Sequence, residues 1–235
     1  MSNNYLLVPG SWKQFDYLKS LNLNFSKILV VGSSLENVSI ELKKIYSSEV
    51  ETIVDNFDSL ISANLILRKE NLQAKLMDFS ATDYQKEEFD LIFAQASISN
   101  NDRKKILKEF KRILKPDGIL CIGEIVTIEE KIPTMLLDFL ETSNLSTLTK
   151  LQVEKIYKEL KLEIIDSKSV VNAFSDYFAA TKLQFDSTKK SLNDDEKKYY
   201  KKIITRIKHE SNIFTKFRGE RFLDFEMYIL KVKNV

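Results

Sequence analysis

Two aspartates at the ends of apolar runs are the residues best placed to do chemistry in this chain. Asp55 closes Glu51-Thr-Ile-Val-Asp55, and Asp78 closes Lys75-Leu-Met-Asp78 with Phe79 beside it. An ionised carboxylate accepts hydrogen bonds well from a pair of hydroxyls, so an acid at a strand tip suits a ribose-like group. Upstream, Ile28-Leu-Val-Val-Gly-Ser-Ser-Leu-Glu-Asn-Val-Ser-Ile-Glu-Leu42 reads as a buried strand, a tight turn at Gly32 and an amphipathic helix, where a nucleotide-type cofactor would sit. Asp55 follows Gly32 at close to the roughly 20-residue interval expected for an acid that meets ribose hydroxyls. Both acids also have plainer readings: Asp55, like Asn56 and Asp58, suits the cap of a following helix, and acids at strand ends form turns.

The turn is short of glycine. The chain has Gly10, Gly32, Gly118, Gly123 and Gly219 in 235 residues, where average usage would give about 16, so no second glycine-rich loop is present. Cys121 is alone and His209 is alone, which removes a disulfide framework, a cysteine metal site and the usual zinc ligand sets; no metal is expected. Cys121, inside Ile119-Leu-Cys-Ile122, reads as core. A formal net charge of +2 gives no steer toward nucleic acid. Residues 186–221 hold 11 Lys or Arg against 6 Asp or Glu, a balance that a solvated helix face explains as well as phosphate contact. No apolar run approaches the roughly 20 residues that span a bilayer, and the first residues lack a secretory pattern, so the cytoplasm is the expected compartment.

The elements that must carry these residues alternate. Strands are expected at 28–32, 50–54, 72–77, 89–94 and 118–125, and helices at 35–46, 57–69 and 101–114, the rhythm of right-handed βαβ crossovers in a parallel sheet. Ser11-Trp-Lys-Gln14 has capping-box spacing before a short helix to about Leu21. Beyond Ile132 helices near 133–142 and 149–160, a strand at 162–171, helices at 175–185 and from Asn193-Asp-Asp-Glu196 to Phe217, and a closing strand at 222–232 are expected. The simplest parse is one domain over 1–235, with an N-terminal helical segment at 1–26, a sheet core at 27–172 and 219–235, and a helical insertion or lid at 173–218. Tyr177, Phe178 and Phe185 of that insertion either wall a pocket or pack in the core.

Taken in order, Lys27-Ile-Leu-Val-Val-Gly32, Asp55, Asp78, Phe89-Asp-Leu-Ile-Phe93, Ile113-Leu-Lys-Pro-Asp-Gly-Ile-Leu120 and the Tyr228-Ile-Leu strand resemble the class I S-adenosylmethionine-dependent methyltransferases. The resemblance implies an α/β, Rossmann-like sheet of seven strands, six parallel and one antiparallel, with helices on both faces and the last strand beside the sixth. It implies S-adenosylmethionine as cofactor and, at the matching positions, Gly32, Ser34, Asp55, Asp78, Phe79, Ala94 and Gln95 around it. The implied activity is methyl transfer to a small molecule. Ala94-Gln-Ala-Ser-Ile-Ser-Asn100 lacks an Asn-Pro-Pro-Tyr or Asp-Pro-Pro-Tyr sequence, which disfavours base amines of nucleic acid as acceptors, while Gln95, Ser97 and Asn100 are polar enough to line a site. No catalytic residue can be named, because transfer from a sulfonium relies mainly on in-line positioning.

The chain departs from the family's acid-x-Gly-x-Gly-x-Gly pattern at Val30, Ser34 and Glu36. A Glu36 carboxylate about 4 Å from the cofactor's own carboxylate would cost roughly 4 kcal/mol at an effective dielectric near 20, on the order of a thousandfold in affinity. Turned away, it would suit the positive end of the following helix. The alternative to an enzyme is a non-catalytic relative that serves as scaffold or binding protein.

Overall fold

Alternation of side chains in Lys27–Val31 (β1) sets up two cores. In the computed structural model, which describes residues 6–170, 172–188, 205 and 207–233, Ile28 and Val30 pack on one sheet face with Phe15, Leu18, Val38 and Leu42. Leu29 and Val31 pack on the other with Leu107, Phe110, Val153 and Tyr157. A strand buried on both faces, with period-two side chains feeding a helix layer on each, is what a doubly wound parallel sheet requires.

The remaining strands are Glu49–Val54 (β2), Ala74–Leu76 (β3), Phe89–Gln95 (β4), Leu114–Thr127 (β5), the two-residue Leu148–Thr149 (β6), Leu162–Ser169 (β7) and Leu223–Val232 (β8). Their order is β3-β2-β1-β4-β5-β8-β7, with β6 beside the end of β5. β8 runs antiparallel to both β5 and β7, so the seven long strands are six parallel and one antiparallel, with the last lying beside the sixth as expected. Helices Glu36–Tyr46 (α2), Phe57–Leu67 (α3), Arg103–Ile113 (α4) and Lys150–Glu159 (α6) make the crossovers. Thr149 and Gln152 form a reciprocal capping box at the start of α6, satisfying two helix-end amides. A third cluster, with Leu136, Phe139 and Leu140 of Thr134–Thr142 (α5), Phe174 and Phe178 of Ala173–Thr188 (α7), Phe214 of helical residues 207–216, and Phe225 of β8, covers the carboxyl end of the sheet. The expected helix start at Asn193-Asp-Asp-Glu196 lies outside the described residues. Among the described residues, no helix is long and apolar enough to cross a membrane.

Helix α4 ends at Ile113, just before Lys115-Pro116-Asp117-Gly118, and β5 pairs Leu114 with Phe89 before its register shifts to pair Ile119 with Leu91. One local expectation is corrected: Ser11 and Gln14 do not cap the first helix, Lys13–Ser20 (α1), whose N-cap is Trp12 with no side-chain cap hydrogen bond. Gln14 is instead fully buried, its Nε2 donating to the carbonyls of Ala94 and Cys121, both at 3.1 Å. Gly123 makes the room, since a Cβ there would lie 2.1 Å from Gln14 Oε1. The glutamine bonds sheet carbonyls rather than its own helix because it lies fully buried against the sheet, where its amide donors must find acceptors.

Candidate functional site

At the carboxyl ends of β1, β2, β4 and β5 lies a cavity of about 430 Å³, within the range of small-molecule sites and at the place where open α/β sheets bind ligands. Gly32, Ser33 and Ser34 form one wall. Gly32 has φ 124° and donates its N–H to the Ile53 carbonyl at 3.0 Å. A Cβ at residue 32 would fall 2.6 Å from Ser97 Cβ, so glycine is needed both for the backbone angle and for the approach of the β4 loop. Ser34 takes a left-handed φ of 62° without being glycine.

Asp55 and Asn56 divide the two roles open to an acid at the end of β2. Asn56 Oδ1 accepts from Ser59 N at 2.9 Å and caps α3, while its Nδ2 donates to Asp55 Oδ1 at 2.8 Å. Asp55 is exposed and lines the cavity, with lone pairs left for further donors. Glu36 does not line the cavity. It is buried at 8% exposure, and desolvation raises its pKa, opposed by hydrogen bonds from the backbone of Glu36 and Ser34. The carboxylate thus braces the loop from behind, and the close charge repulsion considered for it is not the arrangement found.

Of the seven expected site residues, Gly32, Ser34, Asp55, Phe79 and Gln95 come together on the cavity wall, and Asp78 and Ala94 do not. Asp78 Oδ1 accepts from Ser80 N and Ser80 Oγ, both at 2.8 Å, bonds that hold its carboxyl below its ordinary range. Ala94 is buried beneath the cavity with its carbonyl given to Gln14. Ser97, Asn100, Tyr177 and Phe178 also line the space; the Phe185 side chain lies outside the described residues.

Three groups of residues complete the site without having been singled out. The N-terminal strap supplies Leu7, Val8 and Pro9 to the wall, and Gln95 Nε2 donates to the carbonyls of Pro9 and Ser11 at 2.8 and 2.9 Å. Gln95 Oε1 and Ser97 Oγ are buried with no hydrogen-bond partner. Phe139, Phe174 and Glu210 close the far side. Below the floor is a buried ion pair: Arg103 Nε lies 3.0 Å from Glu124 Oε1, with side-chain exposures of 4% and 0%. Ser99 Oγ donates to Glu124 at 2.7 Å and Tyr157 OH at 3.2 Å, while Arg103 Nη2 donates to the Ser146 carbonyl at 2.7 Å. This network ties β5 to the 142–145 wall. The signal in the sequence was an acid inside an otherwise apolar strand, Cys121-Ile-Gly-Glu-Ile-Val126.

A second cavity, of about 490 Å³, opens at the opposite end of the sheet around Asp90 and Lys115. These two groups pair with each other at 2.8 Å, and Asp90 also accepts from the amides of Ser26 and Lys27. The Asp90–Lys115 pair is satisfied within the protein, and we assign the cavity no ligand. Among the described residues, no cluster of His, Cys, Asp or Glu could hold a metal.

Residues 29–122 match the family model described as a methyltransferase domain. An uncharacterized protein of Haemophilus influenzae is 26% identical over 175 residues, 69% of each chain. Phosphoethanolamine N-methyltransferase 2 of Haemonchus contortus, solved with phosphomonomethylethanolamine and S-adenosylhomocysteine, superposes with a TM-score of 0.75 at 15% identity, over 99% of this chain and 55% of that one. The [4+2]-cyclase SpnF superposes with a TM-score of 0.71 at 16% identity, over 94% and 81%. The structural likenesses speak for the fold, which hosts more than one chemistry. Residues 29–122 are thus similar in sequence to a methyltransferase domain, and the chain around them shares the α/β fold of these solved structures.

Proposed function

We propose that the protein transfers a methyl group from S-adenosylmethionine to a small-molecule acceptor in the 430 Å³ cavity. The observation that carries this reading is the meeting of Gly32, Asp55 and Phe79 on one wall of that cavity. The residues present fit the cofactor. Gly32 lets the β4 loop close against the turn that edges the cavity, Asp55 offers acceptors for two ribose hydroxyls, and Phe79 offers an apolar ring for a base. When bound, the cofactor supplies a methyl group on a cationic sulfur.

What this chain contributes is then position and exclusion of water. The strap and the 142–145 segment close the cavity from two sides, and the aromatic residues of α5 and α7 hold an acceptor body, so that the gain comes from fixing the approach of the acceptor atom. Asp78 holds the turn that carries Phe79, through its bonds from Ser80. We read a small molecule as acceptor because the cavity is a cleft walled by α5, α7 and the strap, which suits a compact ligand better than a polymer.

A non-catalytic binding protein is the second reading, and Val30, Ser34 and Glu36 favour it, since all three depart from the loop pattern of active relatives. Calorimetric titration with S-adenosylmethionine and S-adenosylhomocysteine separates the two. Binding in the native chain that weakens about tenfold or more in Asp55→Ala is the result expected for two lost hydroxyl contacts. Neither heat nor a thermal shift at millimolar ligand would replace the enzyme by the scaffold.

A further inference from the structure

We propose that the protein forms a reversible dimer with a second copy of itself through α3, the two helices lying antiparallel about a two-fold axis at the level of Ala63. Phe57, Ile61 and Leu65 recur every four residues, which puts them on one side of the helix, and they are 69%, 61% and 68% exposed. On the other side of α3, Ala63 and Leu67 are fully buried in a cluster with Ala74 of β3, so the helix is anchored without the stripe. Leu76, 38% exposed, shares the sheet face of Ala74 by the period of two and extends the patch beyond the helix. Large apolar side chains gathered at one edge of the sheet differ from the single exposures that any surface shows. The edge strand itself is not what is offered. Asn64 Oδ1 accepts from Ala74 N at 2.9 Å and Asn64 Nδ2 donates to Ala74 O at 3.2 Å, so a side chain already takes the backbone groups that another strand would need there.

The charges identify the occupant. Asp58 stands five residues before Ala63 and Arg68 five after, Phe57 stands six before and Lys69 six after, and Ile61 and Leu65 stand two to either side. Asp58, Arg68 and Lys69 are exposed, and none of them forms an ion pair among the described residues. In an isologous contact residue i meets residue j and j meets i. An antiparallel pair therefore sets Ile61 on the other copy's Leu65, Asp58 beside the other copy's Arg68, and Phe57 against the stem and ammonium of the other copy's Lys69, each of them twice. A parallel pair would set Asp58 on Asp58. The helix with the turn Arg68–Glu70 that follows it is about 20 Å long, and its exposed face with Leu76 gives roughly a few hundred Å², short of the ~800 Å² per partner of a standard stable interface. The contact is therefore a weak, concentration-dependent one, with a Kd on the order of 10–100 µM.

The test is sedimentation velocity on the full chain from about 1 to 200 µM, a window that brackets that Kd. Ile61→Glu, at an exposed position, should weaken the dimer about a hundredfold, because the two-fold axis brings each substitution into the contact twice. Asp58→Lys and Arg68→Glu should each weaken self-association about tenfold, since each sets like charges together at both ends. An equimolar mixture of these two variants should return to within about threefold of the native affinity, each copy supplying the sign that the other has lost. Recovery on mixing also shows that both variants are folded. A chain that stays monomeric throughout, a dimer indifferent to Ile61→Glu, or a mixture no stronger than its components overturns the proposal. So does a monomer that binds phosphatidylcholine–phosphatidylglycerol vesicles through Ile61, which would give the face to a membrane. No methyl donor enters any arm, so the outcome is independent of the methyl-transfer reading.

Discussion

Replacing Glu124 by Gln removes one charge and keeps the shape, and the structure fixes what is left behind. Arg103, its side chain 4% exposed, exchanges the carboxylate that Nε meets at 3.0 and 3.1 Å for a neutral amide oxygen, and with the Ser146 carbonyl keeps acceptors but no counter-charge among the described residues. A buried charge deprived of its partner costs about 3–5 kcal/mol. For a chain of this length, at about 2–4 °C per kcal/mol, that is a fall of roughly 6–20 °C in Tm. Ser99 and Tyr157 also lose their charged acceptor, which keeps the estimate from being low. Urea unfolding checks the value, provided the slope is unchanged so that the midpoint reports stability alone. The double variant Glu124→Gln with Arg103→Met removes both charges and should recover part of the loss, because the penalty lies in the orphaned guanidinium rather than in the net worth of the pair. The site should register the change too, since Ser146 follows the 142–145 wall, and affinity for a cavity ligand should drop in the single variant. A single variant within about 1 kcal/mol of the native chain, or a double variant worse than the sum of its singles, would refute this account.

Gly32→Ala combines a left-handed φ of 124° with a Cβ 2.6 Å from Ser97 Cβ; unfolding should show a loss of about 2–4 kcal/mol, and Ser97→Gly in the same chain should restore only the part due to contact. Gly123→Ala sets a Cβ 2.1 Å from Gln14 Oε1 and 2.3 Å from Phe225 Cζ. It should dislodge the N-terminal strap at a cost of about 1–3 kcal/mol, seen as faster proteolysis before α1, and unchanged proteolysis would count against the strap as a packed part of the site. Glu36 has a carboxyl raised above its ordinary 4.5, chiefly by desolvation, so the folded state holds its proton more tightly than the unfolded one. Relative to Glu36→Gln, the native chain should therefore carry a penalty at neutral pH that shrinks as pH falls through the raised value and is gone below 4.5. Melting both proteins across that window checks the sign, and a penalty that grows on acidification would show the carboxylate to be stabilised instead.

The sequence made the fold legible where the signal was local and repeated. Ile28 to Val31 divide between two cores as period-two side chains must, and the strand-helix alternation to residue 125 followed from apolar runs and breakers alone. The site was legible to the extent that strand tips mark it, which brought Gly32, Asp55 and Phe79 to one wall. Gln14 shows the limit. Ser11-x-x-Gln14 is a local pattern and invites a local partner, yet the carbonyls that Gln14 meets are 80 and 107 residues away, and nothing near it in the chain announces them. Glu36 fails for a subtler reason. Its charge and position were plain, but whether it repels a ligand or braces the loop depends on which side of the backbone it lies, and no spacing rule contains that information. The two residues make one point about degenerate motifs. Loss of glycine at 34 and 36 looked like loss of the pocket because the pattern counts side chains, whereas a ligand meets the backbone those side chains permit. Here Ser34 reaches a positive φ, and the acid that follows it bonds the Ser34 backbone rather than facing the cavity. A loop can thus depart from its family's letters and still present an open wall, which is why binding of a nucleoside ligand, and not a motif score, is the measurement that decides between enzyme and scaffold.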